Sequence, residues 1–218
     1  MQKNIVFSKV KVLIWDFDGT FYKPMRILWQ AIRQAEYETI RRYTGWPLTR
    51  AKVEFDKLHK ITLPSATATV ASLCHIPTSV AAVEMEKYFD RRLFLKYDQL
   101  LVKLFGGLRK YRHYILANGS VRGITQSLIK LGLNPKIFTE IITSETTGVT
   151  KPDDAGFKYI LSQTGLTPSR HLMIGDRPEV DLVPARKLGL KSALVWSQTV
   201  DKSADLTLPA VYDLAGYL

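Results

Sequence analysis

The stretch VLIWDFDGTFY, from Val12 to Tyr22, decides the fold because an apolar run ends in two carboxylates. Its first four residues have the composition of a strand that is buried on both faces. In extended backbone, residues i and i+2 share a face, so Asp16 and Asp18 are predicted to address one site as the chain leaves the sheet. There, one carboxylate can attack while the other moves protons. Gly19 permits a tight turn, and the Thr20 hydroxyl can brace it.

Length and composition indicate a folded globular protein. The chain has 218 residues, of which 46% are hydrophobic and 23% charged, enough for one sizeable core and an insertion. The single Cys74 cannot form an internal disulfide, and the 4 histidines are scattered along the chain, which argues against a zinc or iron site. Without an 18-residue apolar run or a signal-type N-terminus, we expect a cytoplasmic protein with no membrane association.

The basic charge balance admits several anionic partners. A net charge of +11 is compatible with nucleic acid, anionic lipid or a phosphorylated substrate. The lysines and arginines are spread along the whole chain, and no basic tail or basic-aromatic repeat is present, which argues against nucleic acid. A generally basic surface explains the charge better than attraction of an acidic partner does. The sequence does not indicate an oligomeric state.

Helical periodicity replaces the strand pattern between about residues 25 and 104. Trp46-Pro47, Pro64 and Pro77 interrupt it, and the region is predicted to be an all-helical insertion. The stretch ITLPSATATVASL within it is predicted to be a small-residue connector between helices. The helical segments are LWQAIRQAEYETIRRY, RAKVEFDKLHKI and VAAVEMEKYFDRRLFLKYDQLLVKLF.

After Gly106 and Gly107, apolar runs and helical segments alternate in the βαβ rhythm of a doubly wound parallel sheet. Open parallel sheets bind ligands outside the carboxyl ends of their strands. We therefore expect the polar strand-end loops to converge on one site. These loops are 16–20, 117–120, 150–151 and 175–181.

The sequence resembles the haloacid dehalogenase superfamily, whose members carry a D-x-D-x-T loop after the first strand of a Rossmann-like core. VTKPDDAGF is similar to that superfamily's lysine motif, and IGDRPEVDLVPARKLGL to its acidic G-D-x-x-x-x-D motif. The helical insertion occupies the position of a C1 cap. The resemblance implies a catalytic core of residues 1–22 and 101–218 and a helical cap of residues 23–100, which would cover the site and exclude water.

The resemblance also implies roles for the motif residues. Asp16 would attack phosphorus, and Asp18 would protonate the leaving oxygen and then activate water. Lys151 would neutralise both the nucleophile and the phosphoryl group. Asp16, Asp176 and the backbone carbonyl of Asp18 would hold Mg²⁺, a hard ion that favours oxygen ligands. Asp181 would be either a further metal ligand or a group that orients a metal-bound water or Lys151.

One residue departs from the family pattern. The second motif of the family has Thr or Ser at the end of strand two, where this chain has Ala117, so one hydroxyl donor to the phosphoryl group is missing. Thr20, Asn118 and Gly119 remain as predicted phosphate-binding residues, through side chains or backbone N–H groups. The prediction is a Mg²⁺-dependent hydrolase of small phosphorylated metabolites. A sugar phosphomutase, or a weakened member retained for binding, is the alternative.

Substrate contacts are expected from the insertion and from the residues just after the first motif. Tyr22, Lys23 and Arg26 are near enough in sequence to reach a bound molecule. Three arginines and five aromatic residues of the insertion are further candidates, although a solvated helix face and packing within the insertion explain them as well. These residues are Arg33, Arg41, Arg42, Trp29, Tyr37, Tyr43, Trp46 and Phe55.

Overall fold

The computed structural model describes residues 7–62 and 65–218. The predicted break at Pro64 lies outside the described residues. The helices are α1 Arg26–Thr44, α2 Leu48–Thr62, α3 Ala66–Cys74, α4 Thr78–Met85, α5 Gln99–Gly107, α6 Val121–Leu131, α7 Ser144–Thr147, α8 Ala155–Thr164 and α9 Val183–Lys187. The strands are β1 Val12–Trp15, β2 Arg112–Leu116, β3 Phe138–Ile142, β4 His171–Gly175, β5 Lys191–Val195 and β6 Leu206–Leu208.

A six-stranded, all-parallel sheet forms the core, in the order β3-β2-β1-β4-β5-β6. This confirms the predicted α/β class with a Rossmann-like doubly wound sheet. Strand β1 is central, and Trp15 is in register with Ile115 of β2 on one side and Ile174 of β4 on the other. The chain adds β2 and β3 on one side of β1 and then β4 to β6 on the other side. The crevice outside the carboxyl ends of β1 and β4 is therefore the expected ligand site.

Apolar side chains cover both faces of the sheet. Leu13 and Trp15 pack into a large cluster on one face, while Val12 and Ile14 pack into a second cluster on the other. All four are 0% exposed, as expected for a continuous apolar strand in the middle of a parallel sheet. Because β1 is buried to its last residue, Trp15, the chain leaves the sheet at the first motif.

The insertion between β1 and β2 is helical, as predicted. Helices α1 to α4 share an apolar cluster around Phe55 and Ile40. The first turns of α1 instead pack on the sheet cluster through Leu28 and Ile32. The helical insertion therefore contacts the sheet side directly. The domain boundaries at residues 22–23 and 100–101 stay a prediction.

Two details of the predicted insertion are wrong. The ITLPSATATVASL connector contains the helix α3, which begins after Ser65, whose side chain accepts a hydrogen bond from the Ala68 N–H at 3.2 Å. The run 80–105 is not one helical segment. It breaks into α4, a 3₁₀ turn and α5, because Asp90 and Asp98 accept hydrogen bonds from the backbone two and three residues further on and so begin new elements.

Within residues 7–62 and 65–218, no single helix is both long and apolar enough to cross a membrane. The pair α3 and α4 passes that test together, with a bend of 104° between the two helices.

Candidate active site

The first motif places Asp16 directly at the end of β1. Its side chain is buried, and the Thr20 hydroxyl donates a hydrogen bond to Asp16 Oδ2 at 3.1 Å. Gly19 has a φ of +89° and lies against the carboxylate of Asp176, so a side chain at this position would collide with it. The turn after β1 thus requires glycine and brings two acidic motifs together.

Lys151 joins the lysine motif to two of the acidic residues. Its Nζ lies 2.7 Å from Asp16 Oδ1 and 2.6 Å from Asp181 Oδ1, with all three side chains buried. Burial lowers the pKa of Lys151, but the charges of Asp16 and Asp181 outweigh this, and the pKa rises above its ordinary value. The Asn118 amide fixes the loop by accepting from the Lys151 N–H and donating to its C=O, both at 2.9 Å.

Three carboxylates form a cluster that could hold a metal ion. One oxygen each of Asp16, Asp176 and Asp181 lies within 4.8 Å of the others. Asp176 Oδ1 is buried and has no hydrogen-bond partner in the described part of the chain. Burial, with the charges of Asp16 and Asp181, raises the pKa of Asp176 to about 8. An all-oxygen cluster with an unsatisfied buried carboxylate suits a hard divalent cation.

Asp18 lies next to this cluster but faces the helical insertion. The Arg91 guanidinium binds its carboxylate in two places, Nε to Oδ1 and Nη2 to Oδ2, each at 2.9 Å, and the Tyr22 hydroxyl donates to Oδ1. Burial alone would raise the pKa of Asp18, but the Arg91 charge and hydrogen bonds hold it below its ordinary value. The same guanidinium contacts Glu86 at 2.5 Å through Nη1.

Glu86 extends this network to the loop after β2. It accepts hydrogen bonds from the Ser120 backbone N–H at 3.2 Å and from the Ser120 hydroxyl. Two further contacts link the insertion to the core motifs: Ser65 Oγ lies 2.7 Å from Thr150 Oγ1, and the Thr67 hydroxyl donates to the Asn118 C=O at 3.3 Å. The insertion therefore closes over the site through polar contacts.

A narrow cleft of about 70 Å³ lies between the insertion and the strand ends. Asp16 and Asp18 line its core side together with Ala117, where the side chain is a methyl group. Trp29 and Glu36 of α1 line the opposite side. The cleft therefore gives direct access to the Asp16 carboxylate from the side of the insertion.

The structure brings the predicted residues of three strand-end loops to one place. Asp16, Lys151, Asp176 and Asp181 lie in direct contact or within the same cluster, and Asp18 lies beside them. Asp181 forms an ion pair with Lys151, as the predicted orienting role requires. It also belongs to the carboxylate cluster, as the predicted role of metal ligand requires. Both roles stay predictions.

The predicted phosphate-binding residues mostly have partners within the protein. The Thr20 hydroxyl bonds to Asp16 and the Asn118 amide to the Lys151 backbone, while Gly119 lies against Arg91. Their binding of phosphate, like the Asp18 backbone carbonyl as a metal ligand, stays a prediction.

The predicted substrate contacts divide into two groups. Tyr22 is bound to Asp18, and Trp29 lines the cleft, whereas Lys23 and Arg26 are exposed. Phe55 packs within the insertion. Tyr37 and Trp46 pack against the same cluster, and Arg41 pairs with Glu38 on the helix surface.

Sequence reasoning missed four charged residues at the site: Arg91, Glu86, Glu36 and Arg177. The first three lie in helical patterns where charged residues usually face solvent. Arg177 follows Asp176 directly, so its place in the acidic motif was a signal that could have identified it. The other three required the tertiary structure.

Over residues 10–189, the chain matches the haloacid dehalogenase-like hydrolase family. The chain therefore belongs to this family, as its motifs predicted. A crystal structure of a HAD phosphatase from Thermococcus onnurineus has the same fold, with a TM-score of 0.66 and 19% identity over 94% of this chain and 96% of that chain.

Two curated relatives are named glyceraldehyde 3-phosphate phosphatase. The one from Methanocaldococcus jannaschii is 42% identical over 94 residues, which is 41% of this chain and 41% of the relative. The one from Methanothermobacter thermautotrophicus is 30% identical over 95 residues, which is 44% of this chain and 42% of the relative. The matches thus span less than half the length of each relative.

Proposed function

We propose that the chain is a Mg²⁺-dependent phosphatase of small phosphate monoesters that works through a phosphorylated Asp16. The observation that carries this proposal is the contact of the Lys151 ammonium with Asp16 and Asp181, beside the unpartnered carboxylate of Asp176. A carboxylate nucleophile and a phosphate dianion repel each other, so such a site needs an ammonium group and a metal ion.

The residues of the cluster divide the work of the first step. An Asp16 oxygen forms a bond to phosphorus as the ester P–O bond breaks, and the leaving oxygen takes a proton from Asp18. Lys151 neutralises the charge on Asp16 and on the phosphoryl oxygens. Asp16, Asp176 and the Asp18 carbonyl would hold Mg²⁺, with Asp181 beside them; when bound, the ion supplies further charge neutralisation.

The second step releases phosphate. Asp18 takes a proton from water, the water oxygen attacks phosphorus, and the bond from Asp16 to phosphorus breaks. Arg91 lowers the pKa of Asp18 and so favours the ionised form, which accepts this proton. For the first step, Asp18 must take up a proton after the phosphate ester binds and before the ester bond breaks. Arg91 and Tyr22 also hold the carboxylate in one orientation.

The names of the two curated relatives support phosphatase activity for this chain, and they suggest a triose phosphate as one substrate to test. The presence of Asp18 also favours a reaction at phosphorus. Hydrolysis of a phosphate ester uses an acid to protonate the leaving oxygen, whereas displacement at carbon has no such oxygen to protonate.

The test is hydrolysis of 4-nitrophenyl phosphate with and without Mg²⁺. Wild type should turn over only with the metal, and Asp16→Asn should lose activity by at least about a thousandfold, because no nucleophile remains. Asp213→Asn, at an exposed position near the C-terminus, is the matched control and should keep full activity. Activity that persists in Asp16→Asn would contradict the mechanism, and inactivity of wild type on all phosphate monoesters would favour the binding protein.

A further inference from the structure

Glu36 is a buried carboxylate that the proposed chemistry does not use. It lies on α1 at 3% exposure and lines the cleft opposite Asp18. Its Oε2 lies 3.0 Å from Arg33 Nη1, yet neither atom makes a directed hydrogen bond with any described residue. Burying a carboxylate oxygen without a hydrogen bond is costly, so its position facing the cleft points to a ligand.

Arg177 presents the opposite charge to the same space. Its Nε is buried and lacks a hydrogen-bond partner in the ranges 7–62 and 65–218. Its backbone N–H donates to Asp181 Oδ2 at 3.2 Å, so the position of the residue is tied to the acidic cluster. A carboxylate from the insertion, whose ion pair with Arg33 lacks hydrogen-bond geometry, and a donor without a partner from the core therefore line one cleft.

The dimensions of the cleft place the leaving group beside these two residues. A volume of about 70 Å³ holds about two water molecules at liquid density, so a phosphoryl group would leave no room there for the rest of a substrate. The rest of a substrate must extend beyond the cleft. Glu36 and Arg177 line both the cleft and an outer groove of about 700 Å³, together with Trp29, Ile32 and Ala66.

The two groups define the chemistry of the leaving group. Glu36 needs a hydrogen-bond donor, and Arg177 needs an acceptor. A short carbon chain with a hydroxyl and a second oxygen provides both, and its carbons can contact Trp29 and Ile32. A carboxylate on the leaving group would satisfy Arg177 as well, but its other oxygen would lie near Glu36 and be repelled by the ionised Glu36 carboxylate.

We propose that Glu36 and Arg177 form a leaving-group subsite that selects phosphate esters of short, uncharged, hydroxylated carbon chains over carboxylated ones. This inference rests on the proposed phosphatase function and adds the substrate class. Glu36 determines specificity in this scheme, since it contacts the part of the substrate that leaves and not the reacting phosphorus.

The test compares kcat/KM at pH 8.5, where Glu36 is ionised, for D-glyceraldehyde 3-phosphate, 2-phosphoglycolate and 4-nitrophenyl phosphate in wild type and Glu36→Gln. With the triose phosphate, the variant should lose about tenfold, since a hydrogen bond to a charged group is replaced by a neutral one. With 2-phosphoglycolate it should gain severalfold, because the like charge is gone. With the aryl phosphate it should stay within about twofold. Glu38→Gln on the outer side of the same helix is the matched control and should match wild type with all three.

The aryl phosphate separates this inference from the proposed function. If wild type hydrolyses it and Glu36→Gln changes all three substrates by the same factor, or none, the subsite is wrong while the phosphatase stands. If 2-phosphoglycolate is the best wild-type substrate, the selectivity is likewise wrong. A variant that misfolds would lose aryl phosphate turnover as well, and Glu36→Asp, which keeps the charge but shortens its reach, should then show a higher KM for the triose phosphate alone.

Discussion

Glu36→Gln should stabilise the protein in a pH-dependent way. Burial, opposed by the charge of Arg33 and assisted by that of Asp56 on α2, raises the pKa of Glu36 from 4.5 to about 7. Arg26, His59 of α2 and Arg177 line the same outer groove as Glu36. A neutral amide of the same shape removes the cost of charging this position.

The raised pKa of Glu36 determines how its contribution to folding stability changes with pH. Glu36 binds its proton more tightly in the folded chain, so its contribution to stability is fully present below pH 4.5 and is lost as the pH rises through about 7. The difference between the two pKa values corresponds to about 3.5 kcal/mol, at about 1.4 kcal/mol per pH unit. For a chain of this size, that changes the Tm by roughly 7–14 °C.

Thermal unfolding of wild type and Glu36→Gln should be followed from pH 4.5 to pH 8.5 at constant ionic strength. Near pH 4.5 the two proteins should unfold within about 2 °C of each other, and at pH 8.5 the variant should be more stable by up to the full amount. Because Asp176 and Asp181 titrate in both proteins, only the difference between the two curves reports Glu36. Glu38→Gln should follow wild type throughout.

A Tm difference that does not depend on pH would refute the reasoning. A variant less stable than wild type at pH 8.5 would also refute it, because the carboxylate would then be held by Arg33 as a stabilising ion pair. Glu36 would in that case serve the fold of the insertion, and the leaving-group subsite would lose its physical basis.

Two further substitutions test the ion pairs of the site. Lys151→Met removes the ammonium group between two buried carboxylates, so the free energy of unfolding should fall by about 3–5 kcal/mol in a denaturation assay. Added Mg²⁺ should restore part of this loss. The control Lys158→Met, at an exposed position, should change the free energy of unfolding by less than about 0.5 kcal/mol. Arg91→Met should lower kcat for aryl phosphate about ten- to a hundredfold with little change in KM, because Asp18 loses its fixed orientation. The exposed Arg92→Met is the matched control; a wild-type kcat in Arg91→Met would exclude the positioning role.

The core was predictable because its signals are local and its topology obeys general rules. Where apolar runs alternate with helical segments along a chain, a run such as VLIW is typical of a central strand in a parallel sheet. Parallel strands place their carboxyl ends at one edge of that sheet. That rule is enough to bring Asp16, Lys151 and Asp176 together across 160 residues of chain. The roles of these residues came from the family resemblance, whereas their proximity follows from the sheet.

The insertion was predicted only as helical, because its details depend on contacts between distant residues. The small residues of ITLPSATATVASL carry little periodicity, although they form α3 once Ser65 caps it. The break after α4 frees Glu86 and Arg91 to reach Ser120 and Asp18, an arrangement that no local pattern indicates. Side chains whose partners lie 34 and 73 residues away cannot be assigned from helical spacing alone.

If Asp18 acts as proposed, its contact with Arg91 makes the insertion part of the chemistry and not only a cover. Asp18 belongs to the first motif, but the guanidinium that fixes its carboxylate comes from the insertion, and Glu86 ties that guanidinium to the loop after β2. If the insertion moved away from the sheet, Asp18 would lose its orientation, while Asp16 would keep its bonds to Thr20 and Lys151. With an aryl phosphate, whose leaving group needs no proton, hydrolysis of the phosphorylated enzyme should therefore depend on the position of the insertion more than its formation does.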